Sequence, residues 1–152
     1  ENESGYIGSA SLEIPDGKLT PEIMLAMGRL TDPQLSPDGQ KILYGVSYTS
    51  VENNSSCRNL FLSNTDGSDK VQLTRYAKSV SNARWANDGN EIWFIQKGQI
   101  WKAPLQGNKL GKKVQLTDVA EGVSDYKISP DETQILYKVS DLITECCKEE
   151  IL

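Results

Sequence analysis

The side chains able to do chemistry are few and widely spaced. Cysteines stand at Cys57, Cys146 and Cys147, and the 152-residue chain has no histidine. Within these residues that removes Ser-His-Asp and Cys-His catalysis, and any zinc site built on imidazole. Paired carboxylates or a Ser-Lys pair would still serve, but no spacing points to either. The expectation is a chain with no catalytic, cofactor-binding or metal-binding residue and no cofactor.

Other residues invite chemistry and have plainer readings. The cysteines lack a Cys-x-x-Cys spacing, and an adjacent pair rarely bridges to itself. Free thiols are the preferred reading, with one long-range disulfide to Cys57 left open in an oxidising compartment. Asp66, Asp69, Asp88 and Asp131 offer oxygen to calcium, yet none lies in a loop with alternating ligands and a twelfth-position glutamate. Asp66, Asp88 and Asp131 sit beside glycine or proline and Asp69 lies two residues after Gly67, where turn chemistry explains them. Trp85, Trp93 and Trp101 are the makings of a carbohydrate platform, but they fall in or beside strand patterns that call for packing. Asn53-Asn54-Ser55-Ser56 holds overlapping glycosylation sequons in a polar loop. Lys112-Lys113 reads as a solvated basic pair.

Net charge is −5 and the isoelectric point about 4.8. A nucleic-acid partner would need a basic face to displace counterions, so none is expected. The longest purely apolar run, Ile23 to Met27, is far too short to span a bilayer, and no membrane partner is expected. No charged and then apolar leader opens the chain. Its start, Glu1 to Gly5, suits a mature end left by leader removal as well as an arbitrary boundary.

The elements that position these residues come from a repeat. Leu35-Ser36-Pro37-Asp38-Gly39-Gln40-Lys41-Ile42-Leu43-Tyr44 returns as Trp85 to Phe94 and again as Ile128 to Tyr137. Asp38, Asp88 and Asp131 are aligned, and four residues after each comes isoleucine, then a large apolar residue, then an aromatic one. Val71-Gln72-Leu73-Thr74 returns as Val114-Gln115-Leu116-Thr117, and Asn59 to Leu62 matches Gln99 to Lys102. Several markers returning in the same order at spacings of 40 to 50 residues define a repeating unit.

Ser-Pro-Asp-Gly suits a type I turn, with proline presetting φ at the second position and glycine fitting the fourth. After it Ile42, Tyr44, Val46 and Tyr48 alternate with Leu43, Gly45, Ser47 and Thr49, the period of a strand. A strand near Leu60 to Asn64 follows, then an Asp66-Gly67 hairpin turn and a short strand from Val71 to Thr74. Four short antiparallel strands per unit make a propeller blade. The predicted fold is all-β: a partial β-propeller of about two and a half four-stranded antiparallel blades with a short amino-terminal helix.

The segments expected are a flexible lead over 1–19, a helix over 20–28, blade one over 33–74, blade two over 82–117 and an incomplete blade three over 125–152. Thr20 caps the helix, Pro21 starts it, Glu22 favours its positive end and Gly28 ends it. Ile23, Leu25 and Met27 supply its apolar side. Closed rings need about four to eight blades, so the chain reads as part of a longer protein.

From Leu25 to Gly39 the sequence resembles the propeller entry of the prolyl oligopeptidase family of serine peptidases, in its dipeptidyl-peptidase and acylaminoacyl-peptidase branch. Leu60 to Ser68 and Val71 to Thr74 resemble that family's blade endings. The resemblance covers about residues 20–140. Ser-Pro-Asp-Gly and Gln-Leu-Thr elements also occur in TolB-type propellers, and the helix leading directly into Asp32-Pro33 tilts the choice. The resemblance implies a propeller that covers and gates the active site of a carboxy-terminal hydrolase domain, admitting short peptides. That domain's Gly-x-Ser-x-Gly elbow and its histidine are absent from this sequence, so no catalytic residue is carried over. Some members hold a substrate's amino terminus with adjacent glutamates. Glu149-Glu150 lacks the matching surroundings and reads as a solvated pair.

Two functions follow from different classes. One is the non-catalytic propeller portion of a periplasmic or secreted serine exopeptidase, with a cytoplasmic setting as the alternative. The other is a TolB-like envelope propeller that binds proteins. The expected partners are the remaining blades and the hydrolase domain. Uncovered blade faces imply either self-association or a third repeat folded onto blade two, with Ile128, Leu136 and Tyr137 buried and the tail from Glu145 to Glu150 outside the contact.

Overall fold

A computed structural model describes residues 3–14 and 17–139 of the chain. A short helix α1 (Pro21–Ala26) precedes three consecutive antiparallel sheets. The first holds β1 (Arg29–Leu35), β2 (Lys41–Ser50), β3 (Ser55–Asn64) and β4 (Val71–Gln72), in chain order. The second holds β5 (Val80–Trp85), β6 (Glu91–Gln96), β7 (Gln99–Gln106), β8 (Lys109–Leu110) and β9 (Val114–Gln115). The third, within the described residues, is the hairpin of β10 (Val123–Ile128) and β11 (Ile135–Val139). The all-β partial propeller read from the repeat is the observed fold.

The repeat register is kept. Ile42, Ile92 and Ile135 pair with Leu35, Trp85 and Ile128, the residues just before the three turns. In turn one the Gly39 N–H donates to the Ser36 carbonyl at 2.9 Å, while Asp38 Oδ1 accepts from Ser36 Oγ at 2.5 Å and from the Gln40 N–H at 3.1 Å. Ser129 and Asp131 repeat that bonding in turn three. Gly39 and Gly89 take φ of 71° and 72°, a region open to glycine, yet Glu132 holds the same place at φ 58°. Its carboxylate gives a reason for a side chain there: Oε1 accepts from the Asn87 N–H at 2.5 Å, tying turn three to turn two.

The second marker is a polar lock. Thr74 Oγ1 accepts from the Leu60 N–H at 2.9 Å and donates to Asn59 Oδ1 at 2.8 Å. Thr117 does the same with the Ile100 N–H and Gln99 Oε1, at 2.9 and 2.8 Å. Both threonines are buried, so the hydroxyl fastens the outermost strand to its neighbour without leaving a polar group unpaired.

Packing follows the strand alternation. Ile92 and Phe94 of β6 join Leu43, Leu60, Leu62, Val80, Ala83 and Ala103 between blades one and two. The opposite face of β6, Trp93 and Ile95, joins Ala86, Ile100, Val123 and Tyr126 between blades two and three. Blade two is thus a sheet sealed on both sides. Ile128, Ile135 and Tyr137 pack half-buried against that second cluster. Leu136 does not follow them: it stays 57% exposed, because alternation along β11 turns it to the far side.

Several details differ from the sequence reading. The strand of blade one starts at Arg29, ahead of the expected boundary at 33, because Asp32-Pro33 is a bulge inside it. Thr31 faces Gly45 and Gln34 faces Leu43, leaving two residues opposite Tyr44. Blade two carries an additional strand, since β7 runs past its blade partner to form a hairpin with β8. The helix stops at Ala26, short of 28, capped by Thr20 Oγ1 accepting from the Ile23 N–H at 3.4 Å. Only Ile23 is buried; Leu25 and Met27 stay exposed. Gly28 serves space more than chain reversal: a Cβ there would lie 2.7 Å from the Tyr48 ring and 2.8 Å from Val46. The lead is bonded at its start, with the Glu3 N–H donating to the Arg75 carbonyl at 3.0 Å and Tyr6 meeting Gln72.

Candidate functional site: the leading edge of the blades

The first strand of each blade, β1, β5 and β10, forms one edge of its sheet. The residue six places before each turn aspartate is polar: Asp32, Asn82 and Asp125. Asp32 and Asn82 sit in matching bulges at φ 49° and 48°, conformations that Asn and Asp tolerate better than most residues. The bulge turns these side chains toward the neighbouring blade.

They meet there. Asp32 Oδ2 pairs with Arg84 Nη1 at 2.7 Å, across blades one and two, and Asp32 Oδ1 accepts from Gln34 Nε2 at 3.0 Å. Asn82 Nδ2 donates to Asp125 Oδ1 at 2.7 Å, across blades two and three. Beneath them Tyr126 Oη donates to the Asn82 carbonyl at 2.9 Å, and Trp85 Nε1 donates to the Gln34 carbonyl at 3.2 Å. Burial pushes the Tyr126 phenol far above its usual range, so it stays a neutral donor. The Asp32 and Arg84 side chains are each 36% exposed, leaving the edge open to solvent. Such a row can bind and orient polar or charged groups. It holds no nucleophile beside a base, the minimum for a covalent step.

The other singled-out residues lie elsewhere. Cys57 is a buried free thiol with Sγ 3.2 Å from the Tyr76 carbonyl oxygen, and burial raises its pKa. Asp66 accepts from Ser68 within its own turn, and Asp88 from Asn90. Among the described residues no three His, Cys, Asp or Glu side chains gather as a metal site. Trp85 and Trp101 are half-buried and Trp93 is buried between blades, which is packing rather than a sugar platform. Asn53 and Asn54 are exposed in the β2–β3 turn. Lys112 is exposed as expected, but Lys113 is not a solvated partner: its ammonium stands over the Tyr76 and Trp101 rings. Cys146, Cys147, Glu149-Glu150 and the tail from Glu145 lie outside the described residues. No described helix is long and apolar enough to cross a membrane.

In the sequence Asp32 stands out only within the entry motif, while Asn82, Arg84 and Asp125 belong to no motif. Asn82 and Asp125 carry a signal there, the fixed six-residue distance to the turn aspartate, but Arg84, four residues before Asp88, carries none.

Comparison with known proteins then fixes the lineage. Dipeptidyl-peptidase 5 of Porphyromonas gingivalis is 33% identical over 140 residues, covering 88% of this chain, and that of Porphyromonas endodontalis 31% over 121 residues, covering 78%. This stretch is a propeller segment of the prolyl oligopeptidase family. An uncharacterized peptidase of Bacillus subtilis, YuxL, is 32% identical over 124 residues. The propeller segment spans 17% to 20% of the length of these three relatives. In fold it resembles the Pyrococcus horikoshii acylaminoacyl peptidase, with a TM-score of 0.61 at 18% identity, over 81% of this chain and 20% of that one. The AtxE2 isopeptidase gives a TM-score of 0.59 at 18% identity, over 78% of this chain and 23% of that one. No family profile matches the segment.

Proposed function

We propose that this segment is the non-catalytic propeller portion of a serine exopeptidase, covering and gating the active site of a hydrolase domain carried by the same polypeptide. The observation that carries the reading is the leading edge, an open row of paired polar groups on a scaffold whose relatives are named as peptidases. In a closed ring these edges would line the opening through which short peptides pass, and Asp32, Arg84, Asn82 and Asp125 would be the groups they meet. A periplasmic or secreted setting goes with this role.

The test is to read the coding sequence beyond Leu152 and express the product. A Gly-x-Ser-x-Gly elbow followed by Asp and His, with one serine labelled by a fluorophosphonate, is the expected result. The 152-residue chain alone should stay unlabelled. A product without the elbow would overturn the peptidase role and favour the TolB-like binding module.

The outer face of blade one supports a partner proposal for the isolated chain. Leu30 and Leu35, each 60% exposed, share that face with their cross-strand partners Val46 and Ile42. The chain should self-associate through it, and sedimentation at several concentrations should show mass rising with concentration. A single monomeric species throughout would discard the idea.

A further inference from the structure

Lys113 lies in the segment between β8 and β9, where sequence alone suggests a solvated side chain. Its Nζ instead stands 4.1 Å from the Tyr76 ring centroid and 4.7 Å from that of Trp101. It also donates to Oε1 of Gln96, a side chain only 1% exposed. Two ring faces and a buried amide oxygen form a site for an ammonium group, since ring faces carry negative quadrupole density and the amide oxygen accepts.

The walls come from different parts of the chain. Gln96 and Trp101 belong to β6 and β7, and Trp101 Nε1 is itself held by the Gln96 carbonyl at 3.1 Å. Tyr76 belongs to the linker from blade one to blade two. Asn59 Oδ1 accepts from the Tyr76 N–H at 2.9 Å. The lead joins the same linker: Glu3 Oε2 accepts from the Ala77 N–H at 3.0 Å, and the Glu3 charge favours the Lys113 cation. Burial acts the other way, pulling the Lys113 amine below its usual range, with Lys97 adding to that pull. The clamp therefore depends on the rings and the amide outweighing the cost of burial.

We infer that Lys113 is the built-in ligand of a cation site, and that its charge clamps the inter-blade linker around Tyr76 onto the outer strands of blade two. Replacing the ammonium by an uncharged chain of similar length should release the linker while the core around Phe94 keeps its packing. In hydrogen exchange on the full chain, Lys113→Met should speed exchange of linker amides 73–79 by about tenfold. Lys113→Arg should fall between it and the parent. With Tyr76→Leu already in place, Lys113→Met should add little, as expected for partners in one interaction. In the unaltered chain, NMR should show the Lys113 side-chain ε protons shifted upfield by the two rings, a readout that needs no variant to fold. The inference is overturned if Lys113→Met leaves linker exchange unchanged or slows it, or if the ε protons resonate with those of exposed lysines.

Discussion

Tyr44 and Phe94 occupy the same place in the repeat, six residues after the turn aspartate, and have opposite surroundings. Phe94 is fully buried, pressed by Ile92, Leu43 and Leu62 into the seam between two blades. Tyr44 stacks on Phe61 with ring centroids 5.9 Å apart, on a face with no blade beyond it among the described residues, and stays partly exposed. Tyr137, the third copy, packs half-buried against blade two. A propeller repeat therefore specifies which way a side chain points but not how deeply it is buried. Depth belongs to the neighbour, as in any linear array of repeats.

The sharpest way to break this comparison is to truncate both rings. Phe94→Ala should destabilise the chain by about 3–5 kcal/mol, the usual cost of a large core cavity. Tyr44→Ala should cost less than about half of that, since its face is already open. Denaturant unfolding gives both values, and equal losses would show that blade one's outer face is buried in solution.

A smaller effect should be the same in both blades. Thr74→Val and Thr117→Val each remove the hydroxyl that satisfies a buried strand amide, so each should cost about 1–3 kcal/mol by the same measurement. A large difference between them would mean that the polar lock is not equivalent in the two repeats.

Smaller still is the turn. Glu132→Gly relieves a positive φ but loses the bond to Asn87, so it should stabilise by less than about 1 kcal/mol. Gly39→Ala, with open space around it but φ 71°, should destabilise by about 1 kcal/mol. A destabilised Glu132→Gly chain would make the turn-to-turn bond the stronger term.

The least effect is in pH. Asp38 and Asp131 have carboxyl pKa values held below the usual 3.8, mainly by the hydroxyls of Ser36 and Ser129. A depressed folded-state value means that their contribution is complete above the ordinary pKa. It is lost as pH falls through the lower one. Melting temperature should therefore fall below about pH 4, and the fall should be shallower in Asp38→Asn. An unchanged slope would remove the turn aspartates from the acid response.

How much was legible in the sequence can be judged residue by residue. Asp38, Asp88 and Asp131 located all three turns, since proline, aspartate and glycine act on φ and on hydrogen bonds within four residues. Thr74 and Thr117 marked the blade endings, although not the bond each makes to a strand amide. Of the candidate site only Asp32 drew notice, because contact between Asp32 and Arg84 depends on how two sheets pack. Lys113 misled for the same reason.

The sequence by itself determined the repeat, the four-strand order common to blades one and two, the turn chemistry and the resemblance to a peptidase propeller. These rest on local rules: period two, preset dihedrals and short-range hydrogen bonds. Only the tertiary structure decided that Asp32 pairs with Arg84 and Asn82 with Asp125, and that Lys113 sits between two rings. Each of those joins residues tens of positions apart, through the angle at which one twisted sheet meets the next, and no pattern within a single repeat encodes that angle.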